Sequence, residues 1–134
     1  MGYLVKVVAV TLPFPNPKLN PNQSKGVHWA ATSGLRKRAH LEAFALGRAA
    51  VAQAKWAPTT HDVALRIIFD MPDRRRRDRD NLLAAFKCSL DGLAAALGID
   101  DNQFDPVVLT RRYGHKPGAV HIEVGHGIDG LGMP

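Results

Sequence analysis

A strand, a helix and a second strand follow one another between residues 62 and 113, and this order most constrains the fold. Residues 62–71 alternate in polarity before Pro72, which predicts a strand with one buried face. From Asn81 to Gly98, a suitable C-cap, large apolar residues recur at steps of three and four. They are Leu83, Phe86, Leu90, Leu93 and Leu97. Residues 104–113 then predict another strand, so helices should pack on a sheet.

The rest of the chain fits the same architecture. Residues 3–12 predict a strand, and a proline-rich loop with Lys18 and Lys25 follows it. Ser33 is a candidate N-cap of a helix that runs to about Trp56. Its candidate packing residues are Leu41, Phe44, Val51 and Trp56. A turn at 114–118 joins strand 104–113 to strand 119–125, as in a hairpin.

These elements predict one α/β (α+β) domain over residues 1–125, with the order strand, helix, strand, helix, strand, strand. Its helices should pack on one mixed sheet, and residues 126–134 should form a flexible tail. The lone Cys88 excludes an intrachain disulfide and Cys-rich zinc sites, and it favours a reducing cytoplasm. No stretch has the length and apolar character of a membrane span or a signal peptide.

The charge distribution favours a polyanionic partner such as nucleic acid. The 134 residues contain 18 Lys and Arg against 12 Asp and Glu, a formal net charge of +6. Nine of the 12 acidic residues lie between Asp62 and Asp105, whereas Glu42 alone precedes residue 60. The chain is therefore a basic body with one acidic segment. A basic soluble protein with no such partner is the alternative.

The acidic segment follows a run of arginines. Arg74, Arg75, Arg76 and Arg77 lead into Asp78-Arg79-Asp80, and Asp100-Asp101 follows one helix later. Guanidinium groups suit phosphate, and carboxylates suit Mg²⁺ or Mn²⁺. If the backbone is extended at Asp78 and Asp80, both carboxylates point the same way. Together these groups predict phosphodiester hydrolysis with a divalent metal.

Each feature of this segment also has a purely structural interpretation. Asp80 could cap the following helix, and Asp100-Asp101 could form a turn. The arginine run could be a solvated surface. A second basic cluster, Arg36-Lys37-Arg38, lies in the first turn of its helix, where cations oppose the dipole. Phosphate contact and a solvated face are equal alternatives for this cluster.

Residues 71–81 (MPDRRRRDRDN) resemble the signature of the RusA Holliday junction resolvases, a family encoded by phages and prophages. The similarity extends to Leu12-Pro13-Phe14-Pro15, to Leu90-Asp91-Gly92-Leu93 and to Asp100-Asp101-Asn102-Gln103. It implies a homodimeric, Mg²⁺-dependent endonuclease that nicks four-way DNA junctions symmetrically. Because carboxylates also suit Mn²⁺, we expect that ion to substitute for Mg²⁺.

The resemblance also implies which residues act. Asp78, Asp80 and Asp101 would be the essential metal-binding carboxylates, with Asp100 beside them. The family often has a lysine four residues after the second aspartate of the signature, where this chain has Ala84. Lys87 lies on the same helix face and could replace that lysine as a catalytic group. Arg74–Arg77, Arg79 and the 36–38 cluster would bind DNA.

The alternative function is that of a basic DNA-binding protein whose carboxylates are structural.

The arrangement of the strands predicts how the active site is organised. If strands 62–71 and 104–113 are parallel, the two acidic loops lie at opposite ends of the sheet. A two-fold dimer would then complete each active site from two chains.

Overall fold

Four strands and three helices lie within the residues that the computed structural model describes, 7–20, 29–114 and 116–127. The strands are β1 (Val7–Pro13), β2 (Val63–Met71), β3 (Phe104–Tyr113) and β4 (Ala119–Gly125). The helices are α1 (Ser33–Ala54), α2 (Arg79–Ala85) and α3 (Lys87–Leu97). The helices pack on one four-stranded mixed sheet, which confirms the predicted fold class. Within the described residues, no helix is both long and apolar enough to cross a membrane.

The strand order is β1-β4-β2-β3, with β4 antiparallel to β1 and β2, and β2 parallel to β3. β1, β2 and β3 therefore run in the same direction. Their last residues, Pro13, Met71 and Tyr113, lie together at what we call the carboxyl end of the sheet. Val63 and Phe104 pair at the opposite, amino end. β2 and β3, which the helices α2 and α3 connect, are thus parallel, as the prediction of an active site completed by two chains requires.

The predicted hairpin between β3 and β4 is wrong, because β2 lies between these two strands. Their connection passes the carboxyl end of β2, where the Gly114 N–H donates to the Met71 carbonyl over 3.2 Å. A Cβ on Gly114 would lie 1.7 Å from Asp70 Oδ1, so a larger residue there would have to displace the Asp70 carboxylate. The strands themselves, 104–113 and 119–125, have the predicted bounds.

The sheet buries one apolar layer under the helices. Phe69 on β2 meets Phe86 edge-to-face, with ring centroids 5.7 Å apart. The opposite face carries half-exposed polar pairs, including Arg66 with Glu123 at 2.6 Å and Thr11 with His121 at 3.1 Å. This alternation along β2 is the one that its sequence predicts.

The packing face of α1 differs from the prediction. Its buried residues are Ala43, Gly47 and Val51, at steps of four. Val51 and, just beyond the helix, Trp56 are buried as predicted, whereas Leu41 and Phe44 are 64% and 38% exposed and are not core residues. The helix approaches α3 too closely for large side chains: a Cβ on Gly47 would lie 2.8 Å from Ala96 Cβ. Apart from Val51, small residues therefore mark its buried face.

The element ends show further differences. Thr32, not Ser33, is the N-cap position of α1, which ends at Ala54. The helix predicted from Asn81 begins at Arg79 and is interrupted at Phe86, whose backbone (φ −93°, ψ −1°) separates α2 from α3. Gly98 is the C-cap of α3, with φ +70°, as predicted. Residues 3–6, Lys25 and residues 128–134 of the predicted tail lie outside the described residues.

Candidate nucleic-acid and metal site

The loop between β2 and α2 is organised by Asp73, which the sequence analysis did not select. Its carboxylate accepts hydrogen bonds from the Arg77 guanidinium at 2.8 and 3.2 Å, and from the Arg75 N–H at 2.9 Å. These bonds, those of Arg77 foremost, hold the pKa of Asp73 below its ordinary value. Their four-residue spacing predicts a contact only on a helix, so it gave no signal for this pair in a loop.

Arg77 is therefore held inside the loop. Its guanidinium lies over the Phe14 ring, 5.4 Å from the centroid, and its side chain is 21% exposed. The Arg77 carbonyl accepts a hydrogen bond from Arg111 on β3 at 2.8 Å. These contacts join the Leu-Pro-Phe-Pro segment, the arginine loop and β3 at the carboxyl end of the sheet.

Arg74, Arg75, Arg76 and Arg79 are the exposed arginines of this loop and helix start. The Arg75 side chain is 82% exposed although it also reaches Asp73. Arg74 lies beside Tyr113 on β3, with Cζ 5.8 Å from the ring centroid. The predicted DNA contacts of these four residues are therefore sterically open, whereas Arg77 is already occupied by Asp73.

A groove of about 620 Å³ runs along the loop. Phe14, Pro15 and Pro17 line it from the segment after β1, and Arg75–Asp78 line it from the arginine loop. Asn81, Leu82 and Ala85 contribute from α2. The groove thus combines phosphate-binding cations with one of the predicted metal-binding carboxylates, Asp78.

Asp78 and Asp80 lie at the start of α2, in different backbone conformations. Asp78 is the extended N-cap residue (φ −75°, ψ 143°), and Asp80 is in the first helical turn. The helix begins two residues earlier than predicted, so Asp80 is not its N-cap residue. For the same reason the backbone is not extended at both residues, and the prediction that both carboxylates point the same way by strand-like alternation is wrong. Both side chains are exposed, and within the described residues Asp78 makes no side-chain capping bond.

Asp100 has the structural role that a turn predicts. Its carboxylate accepts from the Asn102 N–H at 3.1 Å, and its own N–H donates to Gln103 Oε1 at 2.8 Å, a reciprocal capping box. The Gln103 amide also donates to the Thr59 and His61 carbonyls, at 2.8 and 2.9 Å. Gln103 thus fastens the acidic turn to the segment that precedes β2.

Asp101 is held by Lys87. The Lys87 ammonium donates to Asp101 and, over 2.8 Å, to Asp91. These bonds raise the pKa of Lys87, Asp101 contributing most, and the bond from Lys87 lowers the pKa of Asp101. Lys87 therefore accompanies Asp101, not the Asp78 and Asp80 pair. Nearby Cys88 is half-buried, and burial raises the pKa of its thiol.

The acidic residues consequently form two separate groups within one chain. Asp78 and Asp80 lie at the start of α2, whereas Lys87, at the start of α3, pairs with both Asp91 and Asp101. Ligands of one Mg²⁺ each lie only about 2 Å from the ion. Over the described ranges, no three His, Cys, Asp or Glu side chains are placed to hold a metal ion.

The second basic cluster lies beside the segment after β1. Lys37 and Arg38 are exposed in the first turns of α1, while Arg36 donates to Thr32 Oγ1 at 2.5 Å. Arg38 lines a cavity of about 180 Å³ together with Phe14 and Pro15. Phe14 and Pro15 also line the larger groove beside the arginine loop. The segment after β1 therefore lies between the two basic clusters.

A protein of Xylella fastidiosa (strain Temecula1), described as an uncharacterized protein, is 38% identical to this chain over 104 residues. The matched residues are 78% of this chain and 67% of the Xylella protein. The chain belongs to the same family as that protein. No family model matches the chain.

Proposed function

We propose that this protein is a Mg²⁺-dependent endodeoxyribonuclease that resolves four-way DNA junctions by paired symmetric nicks, with Mn²⁺ able to replace Mg²⁺. The main support is the groove that Asp78 lines together with Arg75 and Arg76. Phosphate-binding cations and a hard carboxylate ligand lie next to each other there. The likeness of this segment to the RusA resolvases supports the choice of four-way junctions as the substrate.

The residues divide the work as follows. Asp78, Asp80 and Asp101, with Asp100 beside them, would hold the metal, which neutralises phosphate charge and activates water. The exposed arginines of the 74–79 segment bind the DNA backbone. Lys87 positions the Asp101 carboxylate and places a cation beside the scissile phosphate. Asp73 and Arg77 keep the loop that carries Asp78 in its shape.

The proposed active site needs two chains. Asp78 and Asp80 lie at the start of α2, whereas Asp101 of the same chain is bound by Lys87, and the described residues place no three such side chains of one chain around a metal ion. A two-fold dimer that places Asp101 and Lys87 of one subunit against Asp78 and Asp80 of its partner would complete two equivalent sites. Two sites account for two symmetric nicks. A nuclease with this substrate works in the cytoplasm of a bacterial or phage-infected cell.

A basic DNA-binding protein without catalysis is the second candidate. The ion pairs of Asp73 and the capping box of Asp100 favour it, because they give these carboxylates structural roles. Binding alone gives no role to Asp78, which is exposed beside the arginines where it would repel phosphate. A metal at Asp78 removes this conflict.

Nicking of a synthetic four-way junction in Mg²⁺ tests the proposal, with duplex and single-stranded DNA as comparisons. We expect Asp80→Asn to abolish nicking but to bind the junction as well as the parent or better, because a negative charge near phosphate is lost. Asp62→Asn, at an exposed carboxylate before β2, is the matched control and should nick normally. Near-normal nicking by Asp80→Asn would refute the assignment. Junction binding without nicking in Mg²⁺ or Mn²⁺ would favour the non-catalytic candidate.

A further inference from the structure

Tyr113, the last residue of β3, is a large aromatic side chain that remains 54% exposed at the carboxyl end of the sheet. It pairs in register with Met71, whose side chain is buried in the core. Paired residues of neighbouring strands lie on the same face, so Tyr113 is on the helix-covered face. This is the face from which the arginine loop extends.

The surroundings of Tyr113 are cationic and continuous with the candidate site. Arg74 lies over its ring at 5.8 Å, and Arg111, two residues earlier on the same face, donates to the Arg77 carbonyl at 2.8 Å. Arg112 lies on the opposite face, 3.7 Å from Asp70. The ring is thus fixed beside the loop that carries Asp78, and cations adjoin it.

An exposed aromatic ring among arginines matches the chemistry of a nucleobase with its phosphate. Bases stack on aromatic rings regardless of sequence, and arginines neutralise the attached backbone. A base inside an intact duplex has both faces covered by its neighbours and cannot use such a ring. Only an unstacked base, such as one beside a branch point, presents a free face.

We propose that Tyr113 is a stacking site for an unstacked DNA base at the branch point, with Arg74 binding the adjoining phosphate. The inference deepens the proposed function and rests on it for the choice of branched DNA. It makes β3, which contains none of the predicted site residues, part of the DNA-binding surface. It also gives the protein a means of preferring branched DNA over duplex that requires no metal.

The test measures binding without metal, so that no cleavage occurs. A four-way junction carries 2-aminopurine beside its branch point, and a duplex of the same arm sequence serves as comparison. We expect Tyr113→Phe to bind the junction like the parent and Tyr113→Trp at least as tightly. Tyr113→Leu should bind the junction roughly 5- to 150-fold more weakly, the loss expected for one stacked base. Its duplex affinity should not change, and the 2-aminopurine quenching should be lost.

Phe44→Leu, at an exposed aromatic in the middle of α1, is the matched control and should leave junction binding unchanged. Equal junction affinity of the Leu, Phe and Trp variants at position 113 would overturn the proposal. So would an equal loss for duplex and junction. If Tyr113→Leu does not fold, the parent and the Phe and Trp variants still test the proposal. Each keeps an aromatic ring and should quench 2-aminopurine in the junction, and no quenching by any of them would overturn the proposal. If the variants show the expected order of junction affinities but the parent protein never nicks junctions, the base-stacking site is supported and the proposed nuclease function is refuted.

Discussion

A mixture of two inactive variants, Asp80→Asn and Asp101→Asn, should recover nicking activity if each site is built from two chains. The structural reason is the separation of these residues. β2 and β3 are parallel, so the loop after β2 and the turn before β3 lie toward opposite ends of the sheet. Lys87, at the start of α3 and beyond the break at Phe86, holds Asp101 together with Asp91.

The size of the recovery follows from two-fold symmetry. When equal amounts of the variants exchange subunits at random, about half of the dimers are mixed. Each mixed dimer has one site with both lesions and one intact site. The mixture should therefore contain about one quarter of the intact sites of the parent protein. Because no dimer has two intact sites, single nicks should appear without paired resolution of the junction.

The assay uses an end-labelled four-way junction, with nicked strands separated on a denaturing gel. Subunit exchange is verified by co-purification of differently tagged variants. The control mixture pairs Asp80→Asn with Asp78→Asn, which damage the same half of the site, so every site in it keeps a lesion. If exchange is demonstrated and the Asp80 and Asp101 mixture nicks no faster than this control, the shared site is wrong.

Three further predictions concern the scaffold and the loop. Gly92→Ala should destabilise the fold by about 1–3 kcal/mol in urea unfolding, because its Cβ would lie 2.2 Å from a backbone carbonyl of α1; Gly34→Ala, with open space around it, should be neutral or stabilising, and equal effects would contradict this packing. Asp73→Asn should lower stability at neutral pH. The folded-state pKa of Asp73 lies below its unfolded value, so its contribution is present above about pH 4 and disappears as the pH falls through the folded pKa; a stability difference that does not shrink toward pH 2 would argue against this ion pair. Arg76→Ala should reduce the salt slope of DNA binding by about 0.9, whereas Arg77→Ala should chiefly destabilise the protein, and the opposite ranking would show that Arg77 contacts phosphate.

Elements that depend on local periodicity could be predicted from the sequence. The alternation of 62–71 and the apolar stripe before Gly98 correspond to β2 and to the α2 and α3 pair. The insertion of β4 between β1 and β2 could not be predicted, because pairing between distant strands leaves no mark in either strand. On α1, Val51 is buried as predicted, but Ala43 and Gly47 were missed because a close helix contact is made by small residues, and hydrophobic periodicity searches for large ones.

The candidate site shows the same division between composition and pairing. Charge and residue type identified the arginines, Asp78, Asp80 and Asp101, but they could not show which charges neutralise each other. Asp73 and Arg77 had helical spacing without a helix, and the contact of Lys87 with Asp101 spans 14 residues. Tyr113 carried no motif at all. Only the register of β3 against β2 places it beside the arginine loop.

The internal ion pairs determine which charges remain for DNA. Asp73 pairs with Arg77, and Lys87 pairs with both Asp91 and Asp101, so neither Arg77 nor Lys87 adds positive charge to the surface. The exposed arginines of the 74–79 segment keep their charge, and Asp78 is exposed among them. A cation brought to Asp78 would convert this point of repulsion into one more phosphate contact. DNA affinity should therefore depend on the metal. The affinity of the parent protein should rise when Ca²⁺, a divalent ion that binds oxygen ligands, is added to the metal-free protein. Affinity of Asp78→Asn should already be high without the ion and should respond less to it. If Ca²⁺ raised the DNA affinity of both proteins equally, Asp78 would not be a metal ligand and its carboxylate would have a structural role.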